Sequence, residues 1–212
     1  MKKLRMYNLE DVIRAYDFVL IDSSFFSYPD RSTSLAPPYL PNILNIQEDV
    51  IRRVLQTWSM RCNLLRRRNT RYVCVHLTSP IKEELEYFSK SLYDCAGIRG
   101  VRAEKIAIIK GLAGTIKVLT SSLPSYNAKP DFDMVIEGKT SLADTSLVAA
   151  LFYYISENIK KKGTIITKDS DIVKLLRSNV KLLNRQRRED ISKRAGIYWC
   201  NYFDDKLEKI YI

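Results

Sequence analysis

The chain of 212 residues has a single histidine, His76, and four cysteines. One histidine removes His-rich metal sites and any catalytic dyad that does not pass through that residue. Cys62, Cys74, Cys95 and Cys200 lie far apart and make no CxxC pair, so neither a zinc motif nor a dense disulfide framework is supported. Reduced thiols in a cytoplasmic protein are the simplest expectation. Long apolar runs are also missing: Ser146 to Ile155 is about half the roughly 20 residues a spanning helix needs, so no membrane partner is expected. The basic start Met1-Lys2-Lys3-Leu4-Arg5 is followed by Asn8, Glu10 and Asp11 where a signal peptide needs an apolar core, which argues against secretion. Acidic residues are in deficit, 24 against 35 Lys and Arg, for a net charge of +11. That excess favours acidic polymers such as nucleic acid, or serves solubility alone.

What is present is a composition 46% hydrophobic and 28% charged, too apolar for a disordered chain and too charged for a membrane bundle. The length fits one globular domain over residues 1–212. An amphipathic opening at Leu9 to Tyr16 leads into Phe18-Val19-Leu20-Ile21, a run that reads as a buried strand. After a loop with Pro29, Pro37, Pro38 and Pro41, a helical pattern runs from about Ile46 to Arg66. Tyr72 to Leu77 reads as a second strand, and Ser79-Pro80 as the start of a helix carrying Leu85, Phe88 and Leu92. Lys105 to Ile109 and Thr115 to Leu119 each read as strand candidates.

Ser141-Leu142-Ala143-Asp144 has capping-box spacing and predicts a helix to Lys160, followed by a buried strand at Thr164 to Thr167 and a helix at Ile172 to Arg177. Val180 to Leu183 and Gly196 to Phe203 are further strand candidates, with residues 183–212 expected to supply C-terminal strands. The alternation predicts an α/β fold, a three-layer α/β/α sandwich around a mostly parallel central sheet.

In open α/β sheets, ligands bind outside the carboxyl ends of the strands. Asp22 follows the first strand, Asp169 and Asp171 follow the strand at Thr164 to Thr167, and Asp144 sits in the first turn of the helix before it. If the two strands are neighbours, four carboxylates meet at one edge, and their repulsion calls for protons or a hard divalent ion. An oxygen-only donor set favours magnesium or manganese over zinc. Each acid also has a plain structural reading. Asp22 can start a turn, Asp144 can complete a capping box with Ser141, Asp169 can be an N-cap, and Asp171 can complement the helix dipole.

Ile21-Asp22-Ser23-Ser24, the helix opened by Lys139-Thr140-Ser141-Leu142-Ala143-Asp144 with its Ala149-Ala150 step, and Thr167-Lys168-Asp169-Ser170-Asp171-Ile172 resemble the PIN-like nuclease superfamily. The likeness is firmest over residues 138–177 and 18–26, and the lysine upstream of Asp144 is more like the NYN branch than the short toxin branch. It implies a metal-dependent nuclease, a ribonuclease ahead of a deoxyribonuclease. Asp22, Asp144, Asp169 and Asp171 would be catalytic and hold Mg2+ or Mn2+, and Ser23 and Thr167 would hydrogen-bond the carboxylates from behind. The acid that many members carry on a middle helix is contested here by Glu83, Glu84 and Glu86, with Glu84 the best match as a further metal ligand. The segment between Asp22 and Asp144 is long for the compact members.

Two basic clusters are candidates for phosphate contact: Arg61, Arg66, Arg67, Arg68 and Arg71 near the end of the second helix, and Arg185, Arg187, Arg188, Lys193 and Arg194 near the C-terminus. Either can equally be a solvated cationic face. The expected partner is nucleic acid, RNA before DNA, with room for a homodimer. A nucleic-acid-binding or regulatory protein that keeps this fold without turnover is the alternative. A phosphoacceptor reading of Asp22 is weaker, because the adjacent acidic pair and downstream strand-end lysine that it needs are not clear.

Overall fold

The computed structural model of the protein describes residues 6–26, 43–72, 74–129, 140–200 and 206–210. The Pro-rich loop, Asp133, Glu137, Lys139, Tyr202 and Phe203 lie outside them. In chain order the elements are β1 (Met6–Asn8), α1 (Leu9–Ala15), β2 (Phe18–Ile21) and α2 (Glu48–Tyr72), then β3 (Val75–His76), α3 (Ser79–Ala96) and α4 (Ala103–Ser122). They continue with α5 (Leu142–Glu157), β4 (Gly163–Thr167), α6 (Ser170–Leu182), α7 (Arg185–Arg194), β5 (Ala195–Cys200) and β6 (Lys206–Ile210). Short 3₁₀ turns occupy Ser23–Phe26 and Ile43–Asn45.

Six strands form one sheet in the order β1-β6-β5-β4-β2-β3. The pairings β3 with β2, β2 with β4, and β4 with β5 are parallel, whereas β5 with β6 and β6 with β1 are antiparallel. The sheet is therefore mixed rather than mostly parallel. The reason lies in chain length: the link from Cys200 to Lys206 is far shorter than the dozen or more residues of a crossover, so β6 must return antiparallel. Strands β2 and β4 are buried along their whole length, which is why both read as continuous apolar runs rather than alternating ones. Helix α5 lies directly against them: a Cβ at Gly163 would meet Leu151 Cδ1 at 2.6 Å.

The expected strands at 105–109 and 115–119 are instead a single helix, α4. Its Ile108, Ile109, Leu112, Ala113, Ile116 and Leu119 recur at helical spacing and are buried against α2 and α3. The density of isoleucine resembles a strand locally, and only the period over the full 20 residues separates the two. The strand candidate Val180 to Leu183 is the last turn of α6 and its C-cap, with Asn179 and Val180 on the buried face. Residues 183–212 begin with a helix, α7, capped where Asn184 accepts from the Arg187 N–H. Tyr72 belongs to α2 rather than to β3.

The order of the strands has a functional consequence. From β2 the chain moves to β3 on one side, then returns across β2 to β4 on the other, and continues to β5. The carboxyl ends of β2 and β4 therefore flank the point at which the winding reverses, where open α/β sheets leave a crevice.

Candidate functional site

The parallel register pairs Ile21 with Ile166, so Asp22 emerges beside Thr167 and donates its backbone N–H to the Ile166 carbonyl at 3.1 Å. Asp22 is only 2% exposed. Its Oδ2 accepts from Thr167 Oγ1 at 2.7 Å and from Ser24 Oγ. Ser24 in turn accepts the Lys168 N–H at 2.8 Å, so the exits of β2 and β4 are stitched together through one hydroxyl. Burial pushes Asp22 up to about 7; the Ser24 and Thr167 hydrogen bonds oppose the rise, and the charges of Asp144 and Asp169 add to it.

Asp144 forms the capping box that its spacing predicts: its N–H donates to Ser141 Oγ at 3.0 Å, and its Oδ2 accepts the Ser141 N–H at 3.2 Å. It is raised from the ordinary carboxylate range, first by burial and then by Asp169 and Asp171, against the Ser141 hydrogen bond. Asp169 is the N-cap of α6, with Oδ1 accepting the Asp171 N–H at 2.7 Å. Glu84 enters from α3. It accepts from Ser23 Oγ at 2.8 Å and is raised by burial and by Asp144, while the Ser23 bond opposes the shift. Its competitors Glu83 and Glu86 are exposed, so among the three only Glu84 turns towards the strand ends.

One regularity runs through these four acids. Asp22, Glu84, Asp144 and Asp169 each commit one carboxylate oxygen to a local hydrogen bond, and among the described residues the other oxygen accepts none. The plain structural roles and the mutual electrostatic coupling are thus both present in the same groups. Asp171 differs. Its side chain is 52% exposed and it pairs with Lys174 Nζ at 2.6 Å. Among the described residues no three His, Cys, Asp or Glu side chains close into a ready-made metal group. The donor chemistry nevertheless fits a hard cation: oxygen only, pre-oriented, and under mutual repulsion that a divalent ion would relieve.

Two features of the site escaped the sequence reading. The resemblance implies Ser23 behind the carboxylates, but Ser24 is the serine that donates to Asp22, and Ser23 donates to Glu84 instead. Lys168, 8% exposed, lies buried behind the strand ends, and burial brings it down to about 7, with Cys200 opposing and Arg61 reinforcing the shift. A lysine between a strand and a helix start gives no sequence signal of its burial.

The basic clusters divide. Arg61 is 1% exposed, donates to the Phe25 carbonyl at 3.3 Å, and lies over the Phe25 ring. Arg68 is 9% exposed and ion-pairs with Glu10. Arg66 and Arg67 are exposed, and the Arg71 side chain lies outside the described residues. In the second cluster, Arg185 pairs with Glu189 in solvent and Arg187 is exposed. Arg188 caps α6 by donating to the Lys181 carbonyl at 2.6 Å, and Arg194 caps α5 through the Ile155 and Asn158 carbonyls, each at 3.0 Å. His76 is packed between rings, 5.0 Å from Phe18 and 5.9 Å from Tyr126. Among the described residues no helix is long and apolar enough to cross a membrane.

No family model, no curated protein and no solved structure matches this chain.

Proposed function

We propose that the chain is a PIN-like nuclease of three-layer α/β/α build that uses Mg2+ or Mn2+ to hydrolyse phosphodiester bonds, with RNA as substrate before DNA. The observation that carries this reading is the set of four carboxylates at the winding reversal, each with one oxygen fixed by a neighbour and one uncommitted among the described residues. A fold gains nothing from holding Asp22 at 2% exposure beside other acids, so the arrangement is better explained by a ligand than by stability.

Asp22, Asp144, Asp169 and Glu84 would hold the cation. When bound, the cation supplies Lewis acidity to a water and offsets charge on the phosphoryl oxygens. Thr167 and Ser24 hold the Asp22 carboxylate from behind, and Ser23 does the same for Glu84. Asp171, half exposed beside Lys174, would orient the attacking water and take up its proton as the P–O bond to the leaving nucleotide breaks, with solvent protonating the leaving oxygen. Arg66, Arg67, Arg185 and Arg187 are exposed, where each can contact substrate phosphates.

The test is cleavage of end-labelled RNA by the purified protein with Mn2+, with EDTA, and with Asp22→Asn or Asp169→Asn. Cleavage should need the cation and fall at least about a thousandfold in either variant, the loss of roughly 4 kcal/mol of transition-state stabilisation. Cleavage that persists in EDTA or in both variants would overturn the proposal. The alternative, a PIN-like nucleic-acid-binding protein without turnover, is favoured by one observation: the acids do not close into a metal group among the described residues. It predicts RNA retention with no cleavage under any cation.

A further inference from the structure

At the opposite end of the sheet, below the amino ends of β2, β3 and β4, lies a cavity of about 680 Å³, within the range of ordinary small-ligand sites. Arg14, Tyr16, Asp17, Arg68, Tyr154 and Lys161 line it. Among the described residues its charges do not balance. Glu10 serves both Arg14 and Arg68, and Asp17 serves Lys161, so three cations are shared between two carboxylates. The pairs through Arg14 and Lys161 are exposed, with side chains 60% and 55% accessible, and such pairs hold their geometry weakly enough for a competing anion to displace them. Arg68 is more than nine-tenths buried in the wall, and its Nε–H has no acceptor among the described residues. A buried donor left in that state is costly to the fold.

Both aromatic walls are set in place by the fold itself. The Tyr154 ring stacks on Phe18 at 4.1 Å with 10° between planes. Tyr16 meets Tyr198 edge-on at 5.8 Å, and its ring occupies the space that a side chain at 196 would take: a Cβ on Gly196 would lie 2.5 Å from Tyr16 Oη. Rings held in this way lose little entropy when a flat ligand arrives.

We propose that this cavity binds a nucleoside 5′-phosphate, free or as the terminus of an RNA, with the base against Tyr154 and the phosphate taken by Arg14 and Lys161 in place of Glu10 and Asp17. The site is separate from the carboxylate cluster and does not depend on the nuclease reading. Calorimetric titration in EDTA, which removes any cation-mediated binding at the acidic end, tests it with AMP, inorganic phosphate, and a short RNA carrying either a 5′-phosphate or a 5′-hydroxyl. AMP should bind more tightly than phosphate. The double variant Arg14→Ala with Lys161→Ala, both exposed, should weaken AMP at least about tenfold, the loss of one charge-assisted contact. Tyr154→Leu should weaken AMP but not phosphate. A 5′-phosphorylated RNA that matches AMP while the hydroxyl form does not bind supports the terminus as ligand; AMP binding alone supports the free nucleotide. AMP no tighter than phosphate, or AMP binding that survives the double variant, would overturn the proposal and leave the nuclease reading untouched.

Discussion

Asp17 and Asp22 flank the same four-residue strand and meet opposite environments. Asp17, at the amino end of β2, accepts the Lys162 N–H and Lys161 Nζ, each at 2.9 Å, and is held below the ordinary carboxylate range, first by the Lys162 bond and then by Lys161. Asp22, at the carboxyl end, has only hydroxyl donors among the described residues, faces Asp144 and Asp169, and is pushed up to about 7 by burial. The residue type is the same, so the partner decides. A carboxylate given its own cation by the fold is a structural group. One buried among other acids gains from a proton or, under the nuclease reading, from a cation.

The sharpest way to break this comparison is through the pH dependence of stability. Folded Asp22 keeps its proton to about pH 7, whereas the unfolded carboxylate loses it near the ordinary value. Between those limits the folded state binds more protons, so the metal-free protein should lose stability as pH rises through that window and stay low above it. The full effect is at most about 4 kcal/mol. Asp22→Asn should flatten most of the slope and be the more stable protein at pH 8 in urea denaturation, with a residue of the slope left by Glu84 and Asp144, which shift the same way. Asp17→Asn should behave oppositely. Its wild-type contribution is present above the ordinary carboxylate value and lost as pH falls, so the variant should be less stable at neutral pH, by under about 1 kcal/mol for so exposed a pair. Equal pH slopes in wild type and Asp22→Asn would mean that the two aspartates are not different in kind.

A smaller effect tests whether the hydroxyls behind Asp22 matter. Thr167→Val keeps the shape and removes the 2.7 Å donor to Oδ2. Under the nuclease reading, cleavage should fall about 10- to 100-fold, the usual cost of losing a group that orients a metal ligand. Mn2+ affinity should fall with it. The Asp22 carboxyl should also move further up, since one of the bonds that oppose its shift is gone. Unchanged Mn2+ affinity would show that Ser24 alone fixes the carboxylate.

The contrast between the ends of β2 also explains what could be read from sequence. Phe18 to Ile21 and Gly163 to Thr167 are legible because strands buried on both faces need unbroken apolar runs, and the acids that follow them stand at predictable strand exits. The Ser141-to-Asp144 capping box is legible because its partners are three residues apart. Contacts between distant segments are not. Nothing local marks Glu84 over Glu83 and Glu86, since the choice rests on Ser23, 61 residues away. The cavity at the amino ends is assembled from α1, α2, α5 and three linkers, and no short motif describes it. Helix α4 was misread for the opposite reason: its local composition speaks for a strand, and packing against α2 and α3 decides otherwise.

The smallest expected effect concerns the arginines at the end of α2, where adjacent residues divide as the two aspartates do. Arg66 and Arg67 are exposed, and Arg68 is buried with Glu10 as its partner. If the exposed pair contacts phosphates, changing both to Ala should weaken RNA binding similarly for unrelated sequences. The slope of log affinity against log salt should also flatten by about 1.4 to 1.8, since each phosphate contact releases roughly 0.7 to 0.9 counterion. Cleavage at saturating RNA should survive, because contacts equal in ground and transition states change apparent affinity and not turnover. Arg68→Ala should do the reverse. It should leave the salt slope unchanged and lower the melting temperature, because it removes a buried ion-pair partner and leaves Glu10 with Arg14 alone. A flattened slope in Arg68→Ala, or none in the double variant, would show that exposure at this helix end does not sort ligand contacts from structural ones.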